Sequence, residues 1–232
     1  MLFSDLKVAN LINSKFEPCW QSVRPVPMVR IDFGNGMQVV RTLHGNIATY
    51  VCAPDGQVLD ILPGIYAPEP YQRALASFAL LPGYLVTPDS SGGPSVRLVK
   101  YHETQARLLA EDGVAGQIVA SPMDQTKLLV EGRIKYLLSR SAALERTSDG
   151  KPPAEMSASE LANWSALVED TRVNERVRRL TIHEKLAACG PVRPDGIKKW
   201  LYKEVLHADL DDPYLGLGPT LFASYPFADG HR

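Results

Sequence analysis

The sequence predicts a mixed α/β (α+β) fold, with strands confined to the first third and helices filling the rest. Three observations predict it. Between residues 28 and 62, short β-rich runs alternate with turns bearing Gly, Asn and Asp. Beyond residue 95, apolar residues recur at the spacing of amphipathic helices. Hydrophobic residues make up 45% of the 232-residue chain and charged residues 22%, as in sequences that fold around a core.

The elements follow in order. Ser4 is placed as an N-cap, and Leu6, Val8, Leu11 and Ile12 give the apolar face of a helix over 5–14. Residues 16–23 read as extended, closed off by Pro25 and Pro27. Met28-Val29-Arg30-Ile31-Asp32-Phe33, the turn Gly34-Asn35-Gly36 and the run 37–41 make a hairpin. Residues 46–52 and 57–62 flank the turn Pro54-Asp55-Gly56 and are expected as adjacent antiparallel strands. Pro68 opens a helix whose buried face is Tyr71, Ala74, Leu75, Phe78 and Leu81. The stretch 82–94 is rich in Pro, Gly and Ser and reads as a linker. Helices are expected over 96–110, 124–138, 158–168, 172–188 and 197–206, with Ser157 and Glu160 at capping-box spacing and a stop at Gly190-Pro191. Residues 147–154 read as a second flexible stretch, and the tail beyond 209 carries Tyr214, Phe222, Tyr225 and Phe227. The expected organisation is a domain over 1–85, a linker over 86–95 and a helical domain over 96–232 with an irregular aromatic tail.

Two segments carry a family resemblance. Phe3-Ser4-Asp5-Leu6-Lys7-Val8-Ala9-Asn10-Leu11-Ile12-Asn13 with Phe16 resembles the helix that follows the redox motif of thioredoxin-like proteins. Gly45-Asn46-Ile47-Ala48-Thr49-Tyr50-Val51 with Pro54-Asp55-Gly56-Gln57-Val58-Leu59, then Leu62-Pro63-Gly64-Ile65-Tyr66, is similar to that family's later strands and the lead-in to its last helix. The resemblance covers about the first third of the chain. It implies a thioredoxin-like sheet with flanking helices, followed by the mainly helical part. Two departures limit what it carries over. The family's Cys pair motif and first strand would lie upstream of Met1, and its cis-proline position corresponds to Ala48, where a cis bond costs about 2.5–4 kcal/mol. The vacancy left by that strand can be filled by strand 16–23, by the 28–41 hairpin or by a strand donated by a partner chain, each pairing with 46–52, and internal closure by 16–23 or the hairpin is expected.

Three cysteines occur, Cys19, Cys52 and Cys189, with no C-x-x-C pair, which excludes a disulfide framework and a Cys-based zinc site of ordinary spacing. Cys19-Trp20-Gln21-Ser22 has monothiol spacing but lies away from a helix start, where a thiolate would be stabilised. Cys19 and Cys52 are the weak candidate thiols. His207, Asp209, Asp211 and Asp212 are the weak candidate metal ligands, set against a plain reading as a helix end followed by an Asp-rich turn. His44 precedes a strand without a catalytic partner in sequence, and His183 reads as a partnered, partly buried residue on a helix face. Residues 172–203 hold nine basic and three acidic side chains, a balance of +6, in two helices joined at Gly190-Pro191.

The functional expectation is a divergent thioredoxin-like protein with a binding or scaffolding role, or a vestigial thiol redox role. The alternative is an adaptor that binds nucleic acid or an acidic partner through 172–203. Were it an enzyme, it would be a thiol–disulfide oxidoreductase whose motif lies upstream of Met1. A protein partner is expected; a cofactor and a membrane are not. With a net charge of -1, nucleic acid is the less favoured partner. The start, Met1-Leu2-Phe3-Ser4-Asp5-Leu6-Lys7, lacks a signal-peptide pattern, so a cytoplasmic location is expected, or an extracytoplasmic one if an upstream start carries a signal.

Overall fold

The computed structural model describes residues 2–25, 28–42, 47–86, 92–111 and 156–219, and the fold they form is mixed helix and strand. The expected helix at 124–138, the flexible stretch at 147–154, His44 and the aromatics beyond Tyr214 lie outside the described residues. After a short turn, α1 spans Leu6–Lys15. Its cap is Asp5 rather than Ser4: the Asp5 carboxylate accepts from the amides of Lys7 (2.9 Å) and Val8 (3.1 Å), and an anion at this end also suits the helix dipole.

The extended segment expected at 16–23 forms no strand. Residues 17–23 are exposed and find no ladder partner, and Arg24 anchors the segment by donating to the carbonyls of Leu210, Asp212 and Pro213. The two expected hairpins do form. Strands β1 (Met28–Asp32) and β2 (Gln38–Thr42) pair antiparallel around a loop in which Asp32 and Asn35 accept from the amides of Gly34 and Met37. Strands β3 (Ala48–Cys52) and β4 (Val58–Pro63) pair likewise. Each hairpin is a separate two-stranded sheet. Neither 16–23 nor β1–β2 closes against β3, and among the described residues the single thioredoxin-like sheet is not seen.

The register of β3–β4 contains an irregularity that matters later. Val51 pairs with Asp60 and Cys52 with Val58, so Leu59 is an extra residue, a β-bulge. The bulge turns Leu59 and Asp60, successive residues, to the same side of the hairpin, where Val51 and Leu62 also point. All six residues of β4 are buried, because both faces of the hairpin are covered.

The first face carries Val51, Leu59 and Leu62 against Val8 of α1 and against Tyr71, Ala74, Leu75 and Phe78 of α2 (Pro68–Phe78). Leu81 and Leu85 join this core from α3 (Leu81–Leu85), a helical turn that runs into the stretch expected as linker and keeps Pro82, Gly83 and Tyr84 exposed. Leu98 joins it from α4 (Pro94–Glu111). The opposite face carries Val58 and Ile61 against Ile182 and Leu186 of α6 (Arg179–Cys189), Ile197 of α7 (Pro194–Trp200), and Leu201, Tyr202 and Val205 in the π-helical turn Leu201–Val205. Residues from both sides of 86–95 therefore meet on β4.

Helix α5 (Ala158–Val173) begins with the expected capping box, Ser157 and Glu160 bonding reciprocally. It runs through a π-helical turn, Asn174–Arg178, into α6. Five residues along an α-helix would set Asn174 and Arg179 about 140° apart; the wider i→i+5 turn brings both toward β4. The Asn174 amide donates to the Ile65 carbonyl at 2.8 Å and crowds Gly64, which adopts φ +73. A side chain at Gly64 would face both a left-handed backbone and an atom 3.0 Å from its Cβ.

Because β4 supplies both cores, Leu62→Ala and Ile61→Ala should each cost about 2–5 kcal/mol and lower one common unfolding transition in urea. Two separable transitions, each moved by only one substitution, would show that the cores are independent.

Candidate functional site

The bulge delivers Asp60 into the first core, where a carboxylate must be fully partnered to stay ionised. It is fully buried. Oδ1 accepts from the amide of Ile61 at 2.7 Å; Oδ2 accepts from the Tyr101 hydroxyl of α4 at 2.6 Å and from Nη2 of Arg179 at 3.1 Å. Burial alone would raise this carboxyl, but the Arg179 guanidinium and the Tyr101 hydroxyl outweigh it and hold it below the ordinary range. Arg179 lies over the Phe78 ring, 5.3 Å from its centroid, so its charge also meets the face of an aromatic ring.

The network continues into two buried imidazoles. Arg179 Nη2 lies 3.1 Å from His183 Nε2, and His183 Nδ1 lies 2.9 Å from His102 Nδ1. Since a guanidinium only donates, His183 Nε2 must accept; His183 then carries its proton on Nδ1 and donates it to His102 Nδ1. His102 is left with its proton on Nε2, a buried atom without a partner among the described residues. Burial depresses both imidazoles, His102 to about 4 and His183 to about 3, so both are neutral at pH 7. The cluster thus ties β4, α4 and α6 through five side chains and holds a single ion pair at its centre.

The thiols flagged in the sequence lie elsewhere. Cys19, Cys52 and Cys189 are free and exposed. Cys52 ends β3, and partial burial pushes its thiol up rather than toward a reactive thiolate. Cys189 closes α6, the negative end of a helix, and Cys19 sits in the irregular segment after α1. Ala48, compared above with that family's cis-proline, opens β3, and no cis peptide bond occurs among the described residues.

The acidic loop is not brought together as a ligand set. Asp209 pairs with Lys203 (2.7 Å) and Asp211 with Lys199 (2.9 Å), while Asp212 accepts from the amides of Tyr214 and Gly216. His207 is exposed, with φ 53. No group of three or more metal-ligating side chains occurs among the described residues.

The same ion pairs disperse the basic segment. Arg172 pairs with Glu169, Arg179 with Asp60 and Lys198 with Asp195, besides the two lysines just named. Lys185 lies over Trp200, and Arg193 donates to the Asp55 carbonyl. Counting the four acids from outside the segment, Asp60, Glu169, Asp209 and Asp211, reduces the local balance of 172–203 from +6 to +2.

Among the described residues no helix is long and apolar enough to cross a membrane. Comparison with protein-family models, with curated proteins and with solved structures finds no match.

Sequence reasoning identified His183 as a partnered, partly buried residue; it is fully buried. It passed over Asp60, Tyr101 and His102, and took Arg179 as one of the nine basic residues of 172–203. One signal was available: Asp60 interrupts the apolar run Val58-Leu59-Asp60-Ile61-Leu62, and a lone carboxylate there needs a cation from elsewhere in the chain.

Asp60→Asn should destabilise the protein by about 3–5 kcal/mol by stranding Arg179 without a counter-charge. Asp60→Leu combined with Arg179→Met should cost less than either single change, as a double-mutant cycle in urea would measure. Acid should act through the imidazoles. Unfolded histidines bind protons below about 6.5, whereas the buried pair resists down to about 4 and about 3. The unfolded state therefore holds more protons across that window, so stability should be full above about 6.5 and decline as pH falls through it. Replacing both histidines with Leu should flatten that part of the Tm–pH curve.

Proposed function

We propose that this protein is a binding module with a divergent thioredoxin-like N-terminal third, and that it takes up an extended segment of a protein partner along the outer edge of β3. One observation carries the reading, the register of the hairpin. The Gly64 amide bonds to the Ile47 carbonyl, and Thr49 and Val51 pair with Leu62 and Asp60. Hydrogen-bonded and non-bonded pairs alternate in an antiparallel ladder. The N–H and C=O groups of Ala48 and Tyr50 therefore point away from β4, and no backbone bond reaches them among the described residues.

The opposite edge of the hairpin is less available. Pro63 has no N–H to offer, and the Val58 amide already bonds to the Val192 carbonyl at 2.8 Å. Of the two edges of this hairpin, β3 offers the row of backbone groups without a backbone partner among the described residues, flanked by the exposed side chain of Ile47. An added strand would satisfy those groups, each bond contributing about 0.5–1.5 kcal/mol net. The order of α1, β3, β4 and α2 supports the thioredoxin-like relation, and the placement of the thiols favours binding over thiol–disulfide exchange. The reduced charge of 172–203 favours it over nucleic-acid binding.

Ala48→Pro tests the reading, because proline is tolerated where the amide faces outward and removes that donor. Peptides selected from a random display library on the wild-type protein should be extended binders that slow exchange of the Tyr50 amide. They should lose most of their affinity for A48P while its Tm stays unchanged. Peptides that bind A48P equally well, or protect only amides away from β3, would overturn the proposal, as would a selection that yields none.

A further inference from the structure

Two of the three exposed thiols, 33 residues apart in sequence, are neighbours in the fold. Phe16, just after α1, and Ala53, just after β3, pack on the same core. Cys19 follows Phe16 by three residues, and Cys52 directly precedes Ala53. The two sulfurs also sense each other. The Cys52 thiol is raised first by its partial burial, then by the charge of Cys19 and that of Asp55. Exposed charges act on one another only within about 8–10 Å, so Cys19 lies within that reach of Cys52.

One partner of this pair is fixed and the other is loosely held. Cys52 is set by its pairing with Val58. Residues 17–23 are exposed and make no hydrogen bond among the described residues; the segment is held at its ends, by Phe16 in the core and by Arg24 on the carbonyls of 210–213. Trp20, beside Cys19, keeps 87% of its surface exposed, so no packed side chain has to be dislodged when the segment shifts. A disulfide needs Cα atoms about 4.4–6.8 Å apart, an approach that a segment tethered only at its ends can supply.

We propose that Cys19 and Cys52 are a modification site, a reversible disulfide that closes residues 17–23 onto the end of β3 when a small-molecule disulfide such as oxidised glutathione is in excess. The Cys19 thiolate attacks one sulfur of the external disulfide, forming a mixed disulfide and releasing one small thiolate. The Cys52 thiolate then attacks the Cys19 sulfur and releases the second. Two electrons pass from the protein to the small disulfide, and the two protein thiol protons end on the released thiols. Neither cysteine lies at a helix N-terminus, so the pair is a bridge rather than an exchange catalyst. The bridge does not rest on the β3-edge reading, because it is detected as a covalent bond and needs no bound peptide.

The full chain carrying Cys189→Ser, which leaves only this pair, is equilibrated with oxidised and reduced glutathione, quenched with acid and digested without reduction. Mass spectrometry should find a peptide joining Cys19 to Cys52 within one chain, with no glutathione on either. The folded chain should favour the bridge at least about tenfold over the same chain in urea, since folding holds the thiols near one another. With Cys52→Ser added, Cys19 should carry glutathione instead, and the bridge should form in A48P as in the parent. Any of three results would overturn the proposal: glutathione on both cysteines without a bridge, a bridge joining two chains, or a bridge no more favoured in the folded chain than in urea.

Discussion

The pairing of Asp60 with Arg179 is the constraint around which the rest is arranged. A carboxylate in the middle of a buried strand is costly unless every lone pair it exposes is met and its charge is opposed. Meeting that demand brings an arginine from the start of α6 and a tyrosine from α4 to one point on β4. Non-directional apolar contacts would let those helices slide along the hairpin; a bidirectional set of hydrogen bonds fixes their position. The π-helical turn before Arg179 belongs to the same arrangement, since it sets the residue's direction while Asn174 holds the end of β4.

Charge elsewhere is distributed in a way a linear reading does not convey. The acidic loop after α7 and the basic face of the helices before it look, in sequence, like separate sites for a cation and for an anion. In space they neutralise one another, Lys199 and Lys203 reaching Asp211 and Asp209. Such exposed pairs contribute little to stability, on the order of 0–1 kcal/mol each. Their larger effect is to leave neither an empty ligand cage nor a long positive stripe. Among the described residues, the charge that does stay concentrated is internal, around Asp60.

Much of this architecture was legible in the sequence. Both hairpins, the helix opening at Pro68 and the capping box at Ser157 were readable because each rests on local chemistry: turn residues, a fixed φ, a hydroxyl three residues before a carboxylate. What was missed depends on contacts between distant residues. Strict alternation along 57–62 sets Leu59 and Asp60 on opposite sides, and only the bulge turns both inward. Residues 16–23 have the composition of a strand, but a strand exists only with a ladder partner, and none lies beside them. The Ser4 cap was displaced by one residue because Asp5, a carboxylate, meets two amides at once. Arg179 was counted as one more surface cation, since its partner lies 119 residues away.

The direction of the hydrogen bonds between Arg179, His183 and His102 has a kinetic side. Each neutral imidazole has one ring lone pair able to take a proton, and in this chain of donors both are occupied: His183 Nε2 by Arg179, His102 Nδ1 by His183. Neither ring can accept a proton from solvent until one of those bonds opens. Opening the first means swinging the Arg179 side chain out of its buried pair with Asp60; opening the second means separating α4 from α6. Proton uptake by this pair is therefore gated by the breathing of the core rather than by diffusion. After a sudden drop in pH the two histidines would lag behind every exposed group on the surface, and the length of that lag is a clock for how often the core comes apart.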